Sequence, residues 1–332
     1  INAAATVAVD ASFTVKEMRF DNANSYTLQG TGTFTMDSDA GVAALDVNQG
    51  THIVDANVAL ADDTTVSVAA GGQLRFENPI TLAGHTMTLA NAGTVTINGS
   101  SGADSGTLNV ASGTLGGNGT VGGDVNNNAV VSPGNSAGML TINGNYAQTS
   151  GQLTIEIGGT TSSAEHDVLA VGGNASLGGM LNVELIDAGN GPFSPALGDS
   201  FTFLTATGGV SGHFDVFSLP ALAGPLHWQL IEHSAAQLLA IGLAGDYNLD
   251  GVVNAADYTV VRDSLGSTTA IGAGAYGNSD GVVNVADIDV WRQNFGSTGS
   301  SAAVAAGVNL PEPCALTLLL VGIALAARRR HR

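Results

Sequence analysis

Residues 246 to 257 read DYNLDGVVNAAD, and residues 276 to 287, thirty positions on, read YGNSDGVVNVAD. In the first stretch Asp246, Asn248 and Asp250 fall at positions 1, 3 and 5 of a twelve-residue loop. Gly251 follows at position 6, where a sharp turn needs positive φ, Val252 offers a carbonyl at position 7, and Asn254 and Asp257 take positions 9 and 12. Alternate oxygen donors converging on one point are what Ca²⁺ requires, so the spacing predicts a calcium loop. The second stretch keeps Asn278, Asp280, Val282 (through its carbonyl), Asn284 and Asp287, but its position 1 is Tyr276, which offers no carboxylate. Ligand charge is one of the terms that set affinity, so one firm site and one weaker site are expected.

Each loop runs into a helix-like segment, ADYTVVRDSL over 256–265 and ADIDVWRQNF over 286–295, stopped by Gly266 or Gly296. This duplicated loop-plus-helix pattern, with Asp at position 12 and no helix ahead of the loop, resembles a type I dockerin over about 246–297. The resemblance implies that the pair docks onto a cohesin-like protein. A module of this size has little core, so bound calcium is expected to stabilise the folded state.

The last residues, PEPCALTLLLVGIALAARRRHR over 311–332, join a Pro-Glu-Pro motif, an apolar run from Cys314 to Ala327 and a basic end. The run is short for a stable span, and the positive cluster holds its end on the cytoplasmic side. The tail resembles the PEP-CTERM sorting signal of Gram-negative and planctomycete-like bacteria. That resemblance implies processing by an exosortase-type enzyme and a secreted body, transiently or stably membrane-anchored at the cell surface or in the extracellular matrix. A plain anchor, a C-terminal transmembrane helix, is the alternative. The sequence opens at Ile1 without an initiator Met or a secretory signal and reads as a fragment or a processed form. Cys314 is the only cysteine, so no disulfide can form within the chain.

The body ahead of the loops must position whatever else the chain does. It is rich in glycine, with 46 in the whole sequence, and acidic, with a formal net charge of −19. Before Asp246 the only Lys or Arg residues are Lys16, Arg19 and Arg75, which excludes electrostatic binding to nucleic acid. From about Thr6 to Ser132 short alternating strands are closed by Gly or Asn turns, and Gly-Thr-apolar recurs at Gly32, Gly93, Gly106, Gly113 and Gly119. Rungs of about twenty residues without crossover helices predict a mainly β protein, a right-handed parallel β-helix or solenoid. The stretch 113–146 resembles autotransporter-associated β-strand repeats. The expected organisation is a solenoid over 1–144 and a β-rich region over 145–243, either a sandwich-like cap with its own aromatic core or more solenoid. The small α-helical calcium module over 244–297, a linker over 298–310 and the sorting tail over 311–332, with its apolar helix, complete the chain. This order resembles planctomycete-type surface proteins.

Candidate catalytic residues are few. Asp62 and Asp63 read as turn formers. Glu165, His166 and Asp167 are the nearest thing to a catalytic cluster, but side-chain alternation would put His166 on the face opposite the two carboxylates, which is poor geometry for a relay, and the three read otherwise as a solvated turn before Val168. The histidines lack metal-ligand spacing, and no Gly-x-Ser-x-Gly elbow occurs. The sequence therefore predicts a noncatalytic structural or adhesion protein that docks through its calcium module. A polysaccharide-binding or polysaccharide-degrading β-helix, a hydrolase or a lyase, is the alternative. In a third reading the module is only a calcium-stiffened spacer. An aligned row of exposed aromatics or carboxylates would favour the glycan reading, and a face of Thr, Asn and Ser the structural one.

Overall fold

The computed structural model describes residues 3–39, 41–90, 92–189, 191–267 and 282–299. Its strands form three long sheets of 12, 9 and 6 strands, with neighbours that are consecutive turns of the chain. Pairing is parallel from Ala5 to Ser218: Thr94 lies beside Thr114, and Thr107 beside Asp124. This is the arrangement of a β-solenoid, in which each turn of the chain lies on the one before.

The alternation read from sequence becomes columns of stacked side chains. In the first sheet Leu74, Val95, Leu115, Val131, Leu153 and Leu181 occupy successive rungs in direct register, and each is at most 2% exposed. In the second sheet one column runs Leu45, Val66, Leu89, Val110 and then turns polar at Asn127 and Gln148. These two buried amides form a closed network. The Asn127 amide donates to the Tyr146 hydroxyl at 3.0 Å and to Gln148 Oε1 at 2.9 Å, and Gln148 Nε2 donates to the carbonyls of Gly178 and Met180. Each polar group is thus partnered across rungs, which is the condition for burying it.

The recurrent Gly-Thr marks strand starts, with Thr94, Thr107, Thr114 and Thr120 each opening a strand. Gly113 has φ +76°, as expected of a left-handed corner. Gly106 is needed for a different reason. A Cβ there would lie 2.3 Å from the Leu82 side chain, so close approach of the rung beneath excludes any larger residue.

The region after residue 145 continues the same sheets. Tyr146–Gln148, Gln152–Ile157 and Val168–Val171 each pair in parallel with a strand before and a strand after. Only the hairpin of Leu226–His233 and Ala236–Leu243 turns antiparallel, laid along Ser200–Ala206 at the end of the third sheet. Its aromatics do not build a separate core. Phe201, Phe203, Phe214 and Trp228 join the same continuous apolar cluster that begins at Val9, because the rungs beneath them are already paired and packed.

Two helices follow, α1 (Ala255–Ser264) and α2 (Val285–Asn294). Each begins and ends one residue earlier than its sequence segment, because Asn254 and Asn284 act as N-caps. Gly266 (φ +83°) and Gly296 (φ +88°) stop them as predicted. No helix among the described residues is long and apolar enough to cross a membrane. The expected apolar tail helix lies outside those residues.

Candidate metal and docking module

The first loop is organised by its own carboxylates. Asp246 accepts the backbone N–H groups of Asp250 at 3.1 Å and Gly251 at 2.8 Å. Gly251 has the positive φ, +83°, that the motif predicted. Asp250 accepts from the Val252 N–H, and Asp257 accepts from Tyr247, Asn248 and Asn254. Asp246 and Asp257 are buried. Burial raises the pKa of Asp246 and the charges of Asp257 and Asp250 add to the rise, while the N–H groups of Gly251 and Asp250 oppose it.

The donor chemistry fits a hard cation: carboxylate, amide and carbonyl oxygens with no sulfur or imidazole. The loop is held by hydrogen bonds, and among the described residues no three His, Cys, Asp or Glu side chains form a ready-made metal cluster. Of the second loop, Val282, Asn284 and Asp287 are described, whereas Tyr276, Asn278 and Asp280 lie outside the described residues.

Where both copies are described, they match closely. Asn254 Oδ1 accepts from Ala256 N at 2.7 Å and Asn284 Oδ1 from Ala286 N at 2.7 Å. The Asn254 amide reaches the Val252 carbonyl at 3.1 Å, and the Asn284 amide reaches the Val282 carbonyl at 3.1 Å. Asp257 and Asp287 close a capping box in each helix.

The copies are also clasped to one another. Gly266 N donates to the Val283 carbonyl and Val283 N to the Ser267 carbonyl, while Gly296 N donates to the Val253 carbonyl and Val253 N to the Ser297 carbonyl. Each helix end is thus tied to the other copy's loop. Two further bonds lack counterparts because the sequence differs there: the Tyr247 hydroxyl donates to the Asp287 carbonyl, and Trp291 Nε1 to the Asn254 carbonyl, both at 2.7 Å. The equivalent residues, Gly277 and Val261, have no side-chain donor. Tyr247, Val261, Val283 and Ile288 make the small core, with Phe217 of the solenoid packed against it. Outside that core the module leaves Val285 71%, Phe295 57%, Leu249 51% and Leu265 46% exposed.

The other candidates lie in turns, as the sequence predicts, but two of them are buried rather than solvated. Residues 161–167 form a turn, so strand alternation does not apply: His166 and Asp167 are both buried, and Glu165 turns back onto the Thr161 N–H. Burial depresses the His166 pKa. Asp167 accepts from Gly138 N at 2.8 Å and Glu156 N at 2.9 Å, and burial pushes its pKa up to about 7. Asp62 and Asp63 staple one rung to the next, accepting from Ser38 N and Thr86 N.

Register also reveals a pair that sequence reading missed. Glu156 lies directly opposite Glu184 on neighbouring parallel strands of the first sheet. The signal was the shared pattern of Leu-Thr-Ile-Glu-Ile at 153–157 and Leu-Asn-Val-Glu-Leu at 181–185, legible once the rung length is known. Glu184 holds the Asn182 amide and Glu156 reaches the Ala137 N–H.

No protein-family model matches this chain, and no curated protein matches it in sequence.

Proposed function

We propose that this chain is a secreted structural or adhesion protein, a β-solenoid spacer carrying a calcium-stabilised, dockerin-like docking module. The reciprocal clasp between Val253 and the end of α2, and between Val283 and the end of α1, carries this reading. It makes the two loop–helix copies one unit, as a docking module requires, and leaves Val285, Phe295, Leu249 and Leu265 outward for a cohesin-like protein. Asp246, Asn248, Asp250, the Val252 carbonyl, Asn254 and Asp257 would hold the firm Ca²⁺. Asn278, Asp280, the Val282 carbonyl, Asn284 and Asp287 would hold the weaker one. Calcium would supply positive charge to offset the mutual repulsion of the first-loop carboxylates. Sorting of the tail by an exosortase-type enzyme belongs to the same proposal.

The outer row of the second sheet supports a structural body. It runs Ala44, Thr65, Thr88, Asn109, Asn126, Ala147, Ser176 and Ser211, in direct register. Apart from Glu17, which lies beside Ala44 at its edge, such a row offers neither stacking rings nor acid–base groups to a sugar.

A polysaccharide hydrolase is the second reading, favoured by Glu156 facing Glu184, since glycoside hydrolysis uses two carboxylates about 5–10 Å apart. Incubating the full chain with neutral and acidic polysaccharides, in calcium and in chelator, separates the readings. The structural reading expects no new reducing or unsaturated ends; their release would overturn it.

A further inference from the structure

The loop–helix module is joined to the solenoid without a free linker. Asp246, position 1 of the first loop, lies three residues beyond the end of the strand Ala236–Leu243. The residues between are bonded back to the hairpin: Ala244 N donates to the Pro225 carbonyl at 2.9 Å, and Asp246 N to the Leu243 carbonyl at 3.1 Å. Gly245 has φ +89°, and a Cβ there would lie 2.9 Å from Trp291 Cα, so the chain passes directly against α2.

Two further contacts tie the same loop to the end of the solenoid. Tyr247, position 2, is buried in the small core against which Phe217 packs. Phe217 also packs against the solenoid core, beside Leu181, in the last strand of the first sheet. Phe203, Phe214 and Phe217 follow one another at ring separations of 6.3 and 6.1 Å, so a chain of aromatic contacts leads from the solenoid interior to the module. At the turn of the loop the Gly251 carbonyl accepts from Gly299 N at 2.8 Å, and a Cβ on Gly299 would lie 2.3 Å from the Leu197 side chain. The segment that carries Leu197 is itself bonded to Ile241, through Gly198 N and the Asp199 carbonyl. Entry, second residue and turn of the loop are therefore all fixed on the strands that end the solenoid. Those strands cannot open without disturbing the loop.

We propose that the loop–helix module is the end cap of the solenoid, and that calcium held by the first loop locks the last rungs to the two helices, through Phe217, as one cooperative unit. This rests on the calcium reading above and adds to it: the module is a rigid extension of the solenoid rather than a tethered docking domain. A ligand that binds only the closed loop slows the opening of everything that must open with it, roughly a hundredfold at a hundred times its dissociation constant.

Amide hydrogen exchange of the full chain, in calcium and in chelator, tests it, with titration calorimetry to read calcium binding separately. Chelator should speed exchange in α1 and α2 and, by a similar factor of up to about a hundredfold, in Val216–Ser218, Leu226–His233 and Ala236–Leu243. Thr94–Ile97 and Thr107–Val110, further back in the solenoid, should exchange alike in both. Phe217→Ala should cut the calcium protection of the three end strands by about tenfold and leave that of the helices. Phe217 is half-buried in the last strand of its sheet, so the variant should fold. The wild-type comparison decides by itself if it does not. Calcium that binds and protects the helices, while the end strands exchange alike with and without it, overturns the cap and leaves the docking module standing. Failure to bind calcium overturns the calcium reading and the cap together. End strands that keep their full calcium protection in Phe217→Ala overturn the coupling through Phe217.

Discussion

Trp291 donates its indole N–H to the carbonyl of Asn254 at 2.7 Å, so a side chain in the second helix holds the residue that caps the first. The bond reaches the loop at position 9, between the carbonyl ligand Val252 and the closing carboxylate Asp257. Under the proposed function, calcium affinity in the first loop should therefore depend on the packing of α2. Trp291→Phe keeps the ring contacts with Tyr258 and Phe295 but removes the donor. The expected cost is about 1–3 kcal/mol of module stability, with weaker calcium binding. Thermal melts in calcium and in chelator would check both effects, and equal melts for wild type and variant would refute the coupling.

Calcium removal should act unequally on the two loops. Burial raises the Asp246 pKa and the neighbouring charges of Asp257 and Asp250 add to the rise, while the second loop has Tyr276 in the place of Asp246. Titration calorimetry is expected to resolve one tight and one weaker site. Asp246→Ala with Asp250→Ala should abolish the tight one and the calcium-dependent rise in melting temperature. Unchanged calcium stabilisation in that double variant would remove the metal from the account of this module.

Stability should fall with rising pH in a window set by Asp167. Burial raises its pKa from the ordinary 3.8 to about 7, with the Glu156 charge adding to the rise and two N–H donors opposing it. A carboxyl raised on folding binds more protons in the folded state between these values. Stability is then full below about pH 4, declines as pH climbs toward 7 and levels off above, by up to ~4 kcal/mol. Asp167→Asn should remove that slope. Its amide must also face one of the donors Gly138 N and Glu156 N, so stability at low pH should drop by about 1–3 kcal/mol. Chemical denaturation across pH 4 to 8 reads slope and offset separately, and an identical slope in both proteins would exclude Asp167 as its source.

Much of the fold was legible in short windows of sequence. Alternation such as Thr-Val-Thr-Ile at 94–97 and the Gly-Thr starts set the strands, and a rung near twenty residues set the parallel pairing. The loop–helix copies were legible because the repeated loop spacing and the stopping glycines are local signals, whereas the Asn254 and Asn284 caps went unread and set each helix start one residue earlier. Asn127 and Gln148 were not, since an Asn run reads as a turn until Tyr146 and the carbonyls of Gly178 and Met180 arrive from other rungs to satisfy it. The turn before Val168 was legible but the burial of Asp167 was not, for a similar reason: its partners come from positions 138 and 156. The aromatics at 201–228 left open whether a capping core or more solenoid follows residue 145, because sequence does not show that the rungs beneath continue without a break.

The pair Glu156 and Glu184 separates structure from catalysis most directly. Like charges opposite one another on neighbouring strands cost stability, and nothing in a spacer protein requires them to stay charged. Under the structural reading Glu156→Gln or Glu184→Gln should raise stability by about 0.2–1 kcal/mol and leave polysaccharide retention unchanged. Under the hydrolytic reading each carboxylate has its own role, acid or base, so either change should abolish the release of reducing ends. Glu156 also reaches the Ala137 N–H, in a turn where Ser136 and Ala137 hold positive φ, so its replacement should loosen that turn. Glu184 instead accepts from the Asn182 amide on its own strand. Glu184→Gln is therefore the cleaner probe: a gain in melting temperature without product release in either protein supports a spacer, and a loss of release identifies an enzyme.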